Sequence, residues 1–293
     1  MFNINGVYSE ENFNISSHTT YGLGGFAKIA YFPKTHKEAR DTFDFVTDNF
    51  EQYFILGKGS NILASNSYYD GAVICTANLN NISYENGFIK CGSGTTVNQL
   101  LKFCLKNGLT GLEYLAGIPA TVGGLALMNG GINVRHIGDD IARIEAYNGK
   151  LLDFDNKSCN FGYKHSIMRD INAIILAIHL NCVSASRDSV KNNIDKYLKF
   201  RNAQPKGKSC GCVFKNINGE SAGKIIEEAG LKGTSLGCAQ VSSEHANFII
   251  NQGNNSDDVY SLIKYVKKKV FEHTEIMLEE EVVYIGKFNE TDV

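Results

Sequence analysis

The sequence predicts an α+β fold, and three observations carry that prediction. Short apolar runs bounded by glycine alternate with amphipathic stretches at helical spacing through the first half of the chain. Two Asn-Gly dipeptides, Asn86-Gly87 and Asn148-Gly149, fall between strand-like runs, where they suit tight hairpin turns. After Val183 the polar connector "SASRDS" leads into a second set of helices and strands, so a domain boundary is expected near residues 184 to 190. A chain of 293 residues, against roughly 150 per domain, is consistent with two or three lobes.

The elements follow in order. "THKEARDTFDFVTDN" opens with Thr35 and has Glu38 three residues on, a capping-box spacing, with Ala39, Phe43 and Val46 on one helical face. "YFILG" and "GAVICTA" read as strands, and "ISYENGFIKCG" as a hairpin. "VNQLLKFCLKNG" places Val97, Leu100, Leu101 and Cys104 in helical register and stops at Gly108. "ARIEAYNGKLLDFD" repeats the hairpin signal, and "AIILAIHLNCV" is a buried strand. Beyond the connector, Val190, Ile194 and Leu198 share one helical face. "SAGKIIEEAG" is a helix, "ANFIIN" a strand, Val259, Leu262, Ile263, Val266 and Val270 mark a long helix, and "EEVVYIGKF" closes the chain as a strand.

Composition excludes several classes. With 29 basic and 31 acidic residues the formal charge is -2, which gives no general attraction for nucleic acid or an anionic membrane. No opening segment has the pattern of a cleaved leader, and no apolar run approaches the roughly 18 residues of a membrane span, so a cytoplasmic protein is expected. The eight cysteines are scattered through a chain too large to need stapling, which points to reduced thiols acting mostly as small buried hydrophobes. Cys210 and Cys212 make at most half a tetrahedral site, and no second Cys or His pair stands at ligand spacing, so no metal is expected. His18, His36 and His245 read as structural, and no obligate protein partner is evident.

"GLGGFA" at 22–27 matches a dinucleotide fingerprint by letters, but strand-like "KIAYFP" follows it where that motif needs a helix. Likewise "GKS" at 207–209 fails as a phosphate loop, because Asn202 stands where its leading glycine belongs. Two other stretches carry the chemistry. "ILGKGSNIL" puts Gly57, Gly59, Ser60 and Asn61 directly after an apolar strand, where backbone amides and a hydroxyl can form a concave anion site. "YLAGIPATVGGLALMNGG" is read as an extended glycine-rich segment, with Gly117, Ile118, Pro119, Thr121, Val122, Gly123, Gly124 and Asn129 along a flat apolar ligand and a diphosphate. Two such cradles favour a dinucleotide cofactor.

Eight stretches in this order, "HTTYGLGG", "LGKGSN", "GLEYLAGIPATVGG", "FGYKHS", "GCVFKN", "AGKIIEEAGLKG", "VSSEHANFIIN" and "LEEEVVYIG", resemble the UDP-N-acetylenolpyruvoylglucosamine reductase (MurB) family over Thr19 to Gly286. The resemblance is to the short branch that lacks the tyrosine-bearing insertion. It implies an FAD-binding region of PCMH/VAO-like type in two subdomains, residues 1–185, completed by the final strand 278–288, and a substrate-binding domain over 190–270. It further implies a flavin-dependent oxidoreductase of peptidoglycan precursor synthesis. The reaction the resemblance implies has two halves: NADPH would reduce FAD and leave, and the enolpyruvyl group of a UDP-sugar would then receive hydride from the reduced flavin.

The resemblance also implies site residues. Cys212 holds the place of the family's serine, the proton donor to carbon, and Cys210 is a neighbour without a defined role. Glu281 matches the carboxyl group that assists the enol, while Glu279 and Glu280 read as a solvated strand edge and a structural contact. Lys215 and Asn216 are expected to hold the nucleotide end, with Arg201 a further substrate contact. Lys164 stands where the family has arginine. Either it polarises the substrate carboxylate as a point charge, or Arg169 or Arg201 shares that role. Two other readings compete: a different flavin oxidoreductase of the same architecture, and an inactive flavin- or nucleotide-binding protein.

Overall fold

The computed structural model describes residues 3–132 and 135–289. The chain divides into two compact units. The first is built from the chain up to Glu11, Ile29–Lys58 and Gly71–Ala203; the second from Asn12–Lys28, Gly59–Asp70 and the chain from Gln204 onward.

The first unit is organised around a five-stranded antiparallel sheet in the order Leu151–Asp155, Ile141–Tyr147, Ile174–Asn181, Phe88–Gly92, Ile82–Glu85. Both Asn-Gly dipeptides turn hairpins in it, by different means. Glu85 pairs with Phe88, leaving a two-residue loop in which Asn86 and Gly87 take φ of 52° and 85°, as a primed turn demands. Tyr147 pairs with Leu151, so the second loop has an extra residue and only Gly149 turns left-handed.

Helix α1 (His36–Asn49) is capped by Thr35, which accepts from Glu38 N–H, and buries Ala39, Phe43 and Val46 against Ile29, Tyr31, Ile74 and Leu176. Helix α2 (Val97–Asn107) begins at a Thr96/Gln99 capping box and stops at Gly108 with φ 62°. Its apolar face packs on Ile89, Ile144 and Ile178 of the large sheet. Helix α3 (Val122–Met128) shares this core. Helix α4 (Arg187–Arg201) buries Val190 and packs Ile194 and Tyr197 on the same core; Leu198, expected on that face, is 37% exposed.

In the second unit, α5 (Ala222–Glu228) and α6 (Ser256–Thr274) form one core with a small antiparallel sheet, Ser235–Leu236, Ala239–Val241 and Ile249–Asn251. All five periodic residues of α6 are buried, each burial contributing about 1.5–3 kcal/mol. The strand Val283–Ile285 pairs in parallel with Ile62–Ala64. Among the described residues no helix is long and apolar enough to cross a membrane.

Candidate active site

The stretch from Lys208 to Lys215 is an irregular strand held on both sides. Isolated antiparallel bridges join Lys208 to Asn251, Cys212 to Phe248 and Phe214 to Glu280. On one side Val213 N–H donates to Asn247 O at 2.9 Å, and the Asn247 amide clamps Phe214, accepting its N–H and donating to its carbonyl, both at 2.8 Å. On the other side Glu281 N–H donates to Val213 O at 2.7 Å and Lys215 N–H to Glu279 O at 2.8 Å. The half-buried Cys212 is thus carried on a rigid backbone beside Glu281.

Cys210 is buried, and its thiol donates to the hydroxyl of the fully buried Tyr21 at 3.6 Å. Burial pushes this thiol up to about 12; the Tyr21 hydrogen bond opposes burial, and the charges of nearby Glu281 and Cys212 reinforce it. Cys210 therefore stays a neutral thiol at physiological pH. The three consecutive glutamates have separate partners or neighbours: Glu279 pairs with Lys215, Glu280 with Lys264 and Lys267 at 3.0 and 3.3 Å, and Glu281 lies near Cys210. Asn216 accepts from Ala222 N–H at 3.1 Å with its side-chain carbonyl, which fastens the end of this segment to the start of α5.

The glycine-rich turn after the strand Tyr53–Leu56 is tightly packed. At Gly59, with φ 64°, a Cβ would stand 2.2 Å from His18 O, and Gly59 O accepts from Thr20 N–H at 3.1 Å. Asn61 donates its side-chain amide to Glu281 O at 2.9 Å, and its backbone carbonyl accepts Val283 N–H at 2.9 Å. The turn is thereby tied to the backbone of the glutamate segment. Ser60 is half-buried. Gly57 leaves room for Thr121, whose Oγ1 would lie 2.6 Å from a Cβ there.

The second glycine-rich stretch is not extended throughout. Thr121 caps α3 by accepting Gly124 N–H, so Val122 to Met128 are helical. Gly117, with φ 80°, and Pro119 are exposed and Ile118 and Gly124 partly so, whereas Val122 and Gly123 are buried. A Cβ at Gly123 would meet Ser93 Cβ and O at 2.7 Å. A side chain there would force the backbone of Ser93 to shift. Asn129 ends α3 with φ 44° and spends its amide on backbone, accepting Gly138 N–H at 2.9 Å and donating to Gly162 O at 2.8 Å.

That last bond anchors the turn that bears Lys164. Gly162 and His165 exchange backbone hydrogen bonds at 3.0 and 3.3 Å, Lys164 takes φ 55° at the tip, and its carbonyl accepts from Arg169 Nη1 at 2.8 Å. Arg169 thus backs the turn. Arg201, at the end of α4, lays its stem along Gly117, where its Cγ would be 3.0 Å from a Cβ.

Two family models match the chain: an FAD binding domain over residues 27–150, and the UDP-N-acetylenolpyruvoylglucosamine reductase C-terminal domain over residues 204–285. The chain is 34% identical over 290 residues to the UDP-N-acetylenolpyruvoylglucosamine reductase of Prochlorococcus marinus (strain NATL2A), covering 97% of this chain and 100% of that one. It is 38% identical over 273 residues to that of Protochlamydia amoebophila (strain UWE25), covering 91% and 90%. It belongs to the UDP-N-acetylenolpyruvoylglucosamine reductase family. The crystal structure of the Thermus caldophilus reductase superimposes with a TM-score of 0.80 at 30% identity, over 96% of this chain and 99% of that one.

A reductase of this family uses FAD, and the first unit contains a feature that fits it. The hydroxyls of Ser93 and Thr95 are buried without a hydrogen-bond partner. They lie on the loop whose carbonyls accept Gly123 N–H at 2.9 Å and Val122 N–H at 2.8 Å. Buried hydroxyls are ordinarily satisfied, so a pair of orphans against the start of α3 fits a ligand that brings its own polar atoms. Sequence reading passed over both, although "CGSGTT" directly follows a strand and its two glycines mark close packing. Tyr21 and Asn247 were also missed. Their partners lie 189 and 33 residues away, and no local pattern announces them.

Proposed function

We propose that this reductase uses Cys212, Glu281 and Lys164 to convert UDP-N-acetylglucosamine enolpyruvate to UDP-N-acetylmuramate in the cytoplasm, with NADPH as reductant. FAD, when bound, would supply the hydride chemistry that links NADPH to the β carbon of the enolpyruvyl double bond. The accessible glycines Gly57, Gly117 and Gly124, with Ile118, Pro119, Ser60 and the hydroxyls of Ser93 and Thr95, would hold it. Gly59, Asn61, Thr121, Val122, Gly123 and Asn129 shape that cradle through their own packing and hydrogen bonds.

The remaining work falls to side chains. As the β carbon gains hydrogen, negative charge develops on the substrate carboxylate, and the Lys164 ammonium on its turn stabilises it. Cys212 Sγ–H gives its proton to the α carbon, and Glu281 stabilises the enol before that transfer. Lys215 offers a point charge to the diphosphate and Asn216 an amide to the uracil end, with Arg201 a further contact. One observation carries the assignment: Val213 is hydrogen-bonded to both Asn247 and Glu281, which fixes Cys212 and Glu281 on adjacent backbones. Consumption of NADPH that depends on the enolpyruvyl sugar nucleotide tests the reaction. Loss of that dependence in Cys212→Ala, with its retention in Cys212→Ser, tests the assignment.

A further inference from the structure

Glu279 stands directly across from Lys215. The bridge between Phe214 and Glu280 sets an antiparallel register in which Lys215 N–H donates to Glu279 O at 2.8 Å, and the two side chains close an ion pair. The pair is asymmetric. The lysine side chain is 19% exposed and the glutamate 68%. A covered ammonium with a solvated counter-ion resembles a loaded anion-exchange site, in which the cation is fixed and the anion is free to leave.

We infer that Glu279 is a built-in competitor for the anion site at Lys215, which the nucleotide diphosphate must displace. This rests on the proposed contact between Lys215 and the diphosphate. A diphosphate carries more charge and more acceptor oxygens than a carboxylate, so it wins the exchange. A singly charged ligand gains little, because it only replaces one carboxylate by another. Glu279 therefore lowers affinity for every anion by a similar step, so that only multiply charged ligands, which begin with the stronger attraction to Lys215, stay usefully bound. The side chain of the neighbouring Glu280 is held elsewhere and does not compete for Lys215. Glu280 is engaged by Lys264 and Lys267, and Asn61 ties down the backbone of Glu281.

The test is titration calorimetry of the FAD-loaded protein with UDP, in the wild type, Glu279→Gln, Lys215→Met and the double variant. Glu279→Gln should bind UDP about two- to five-fold more tightly, the range of a solvent-exposed ion pair, and the gain should shrink in high salt. Lys215→Met should bind more weakly, and Glu279→Gln should add nothing in that background. Unchanged or weaker binding by Glu279→Gln overturns the inference, as does an equal gain with and without Lys215, which marks a general charge effect. If Lys215→Met binds UDP as the wild type does, the contact between Lys215 and the diphosphate fails, and the inference with it.

Discussion

Replacing Asn247 by alanine should unfold the second unit more easily than any surface asparagine change. Asn247 and Phe214 are each 2% exposed, and the amide satisfies both backbone groups of Phe214. Alanine leaves a buried N–H and a buried C=O without partners, at about 1–3 kcal/mol each, so about 2–6 kcal/mol in all. With a urea dependence at the upper end for a chain of this size, about 3 kcal/mol per molar, the midpoint should fall by about 0.7–2 M. Asn49→Ala is the matched control, since its amide also donates to a carbonyl, that of Phe45, but in an exposed setting. It should shift stability by less than about 0.5 kcal/mol. At urea concentrations where Asn247→Ala is still folded, reduction of substrate should slow more than reduction of flavin by NADPH, because Cys212 lies two residues from the loosened clamp. The reasoning is refuted if Asn247→Ala and Asn49→Ala melt alike.

Ser93→Ala and Thr95→Val should leave the apoprotein as stable as the wild type or slightly more so, because neither hydroxyl has a protein partner, yet FAD should dissociate more readily, as flavin fluorescence on dilution will report. Glu145 accepts from Lys90 at 2.9 Å and His179 at 2.7 Å; burial raises its pKa, but these bonds outweigh burial and hold it below the ordinary range. A carboxyl depressed in the folded state stabilises the fold above its unfolded pKa of about 4.3, and that contribution fades as pH falls through the folded value. Glu145→Gln should therefore flatten the acid limb of urea stability against pH. Lys164→Met should slow substrate reduction by about 100-fold or more while flavin reduction by NADPH stays within a few-fold, and stopped-flow absorbance resolves the two halves.

Much of the fold was legible because its signals are local. Thr35 with Glu38, and Gly108, set helix ends within three or four residues, and both act as read, whereas the Thr96/Gln99 box is a local signal that was not used. Asn86-Gly87 specified a two-residue turn because both positions demand positive φ. The stretch after Thr121 misled, because two glycines and a proline suggest extended chain while one threonine cap is enough to start a helix stabilised by packing. The strands Ser235–Leu236 and Ala239–Val241 are too short to show a period. For the site, residue types were readable from motif and their supports were not. Glu279 read as a solvated edge because nothing within reach of it in sequence is a cation, yet Lys215 faces it across 64 residues.

The central claim is that Cys212 is the proton donor to the α carbon, and single-turnover kinetics test it most directly. With Cys210 replaced by alanine throughout, the protein should be reduced by NADPH anaerobically and then mixed with the enolpyruvyl sugar nucleotide, following flavin reoxidation and product together. Cys212→Ala should oxidise NADPH once per flavin and then stall, with product formation down by about 100-fold to 10,000-fold, whereas Cys212→Ser should keep substantial turnover. Alkylation should stop the protein that retains Cys212 and spare the serine variant. Near-normal multiple turnover by Cys212→Ala would contradict the account and leave Cys212 as a packing residue of the segment that holds it.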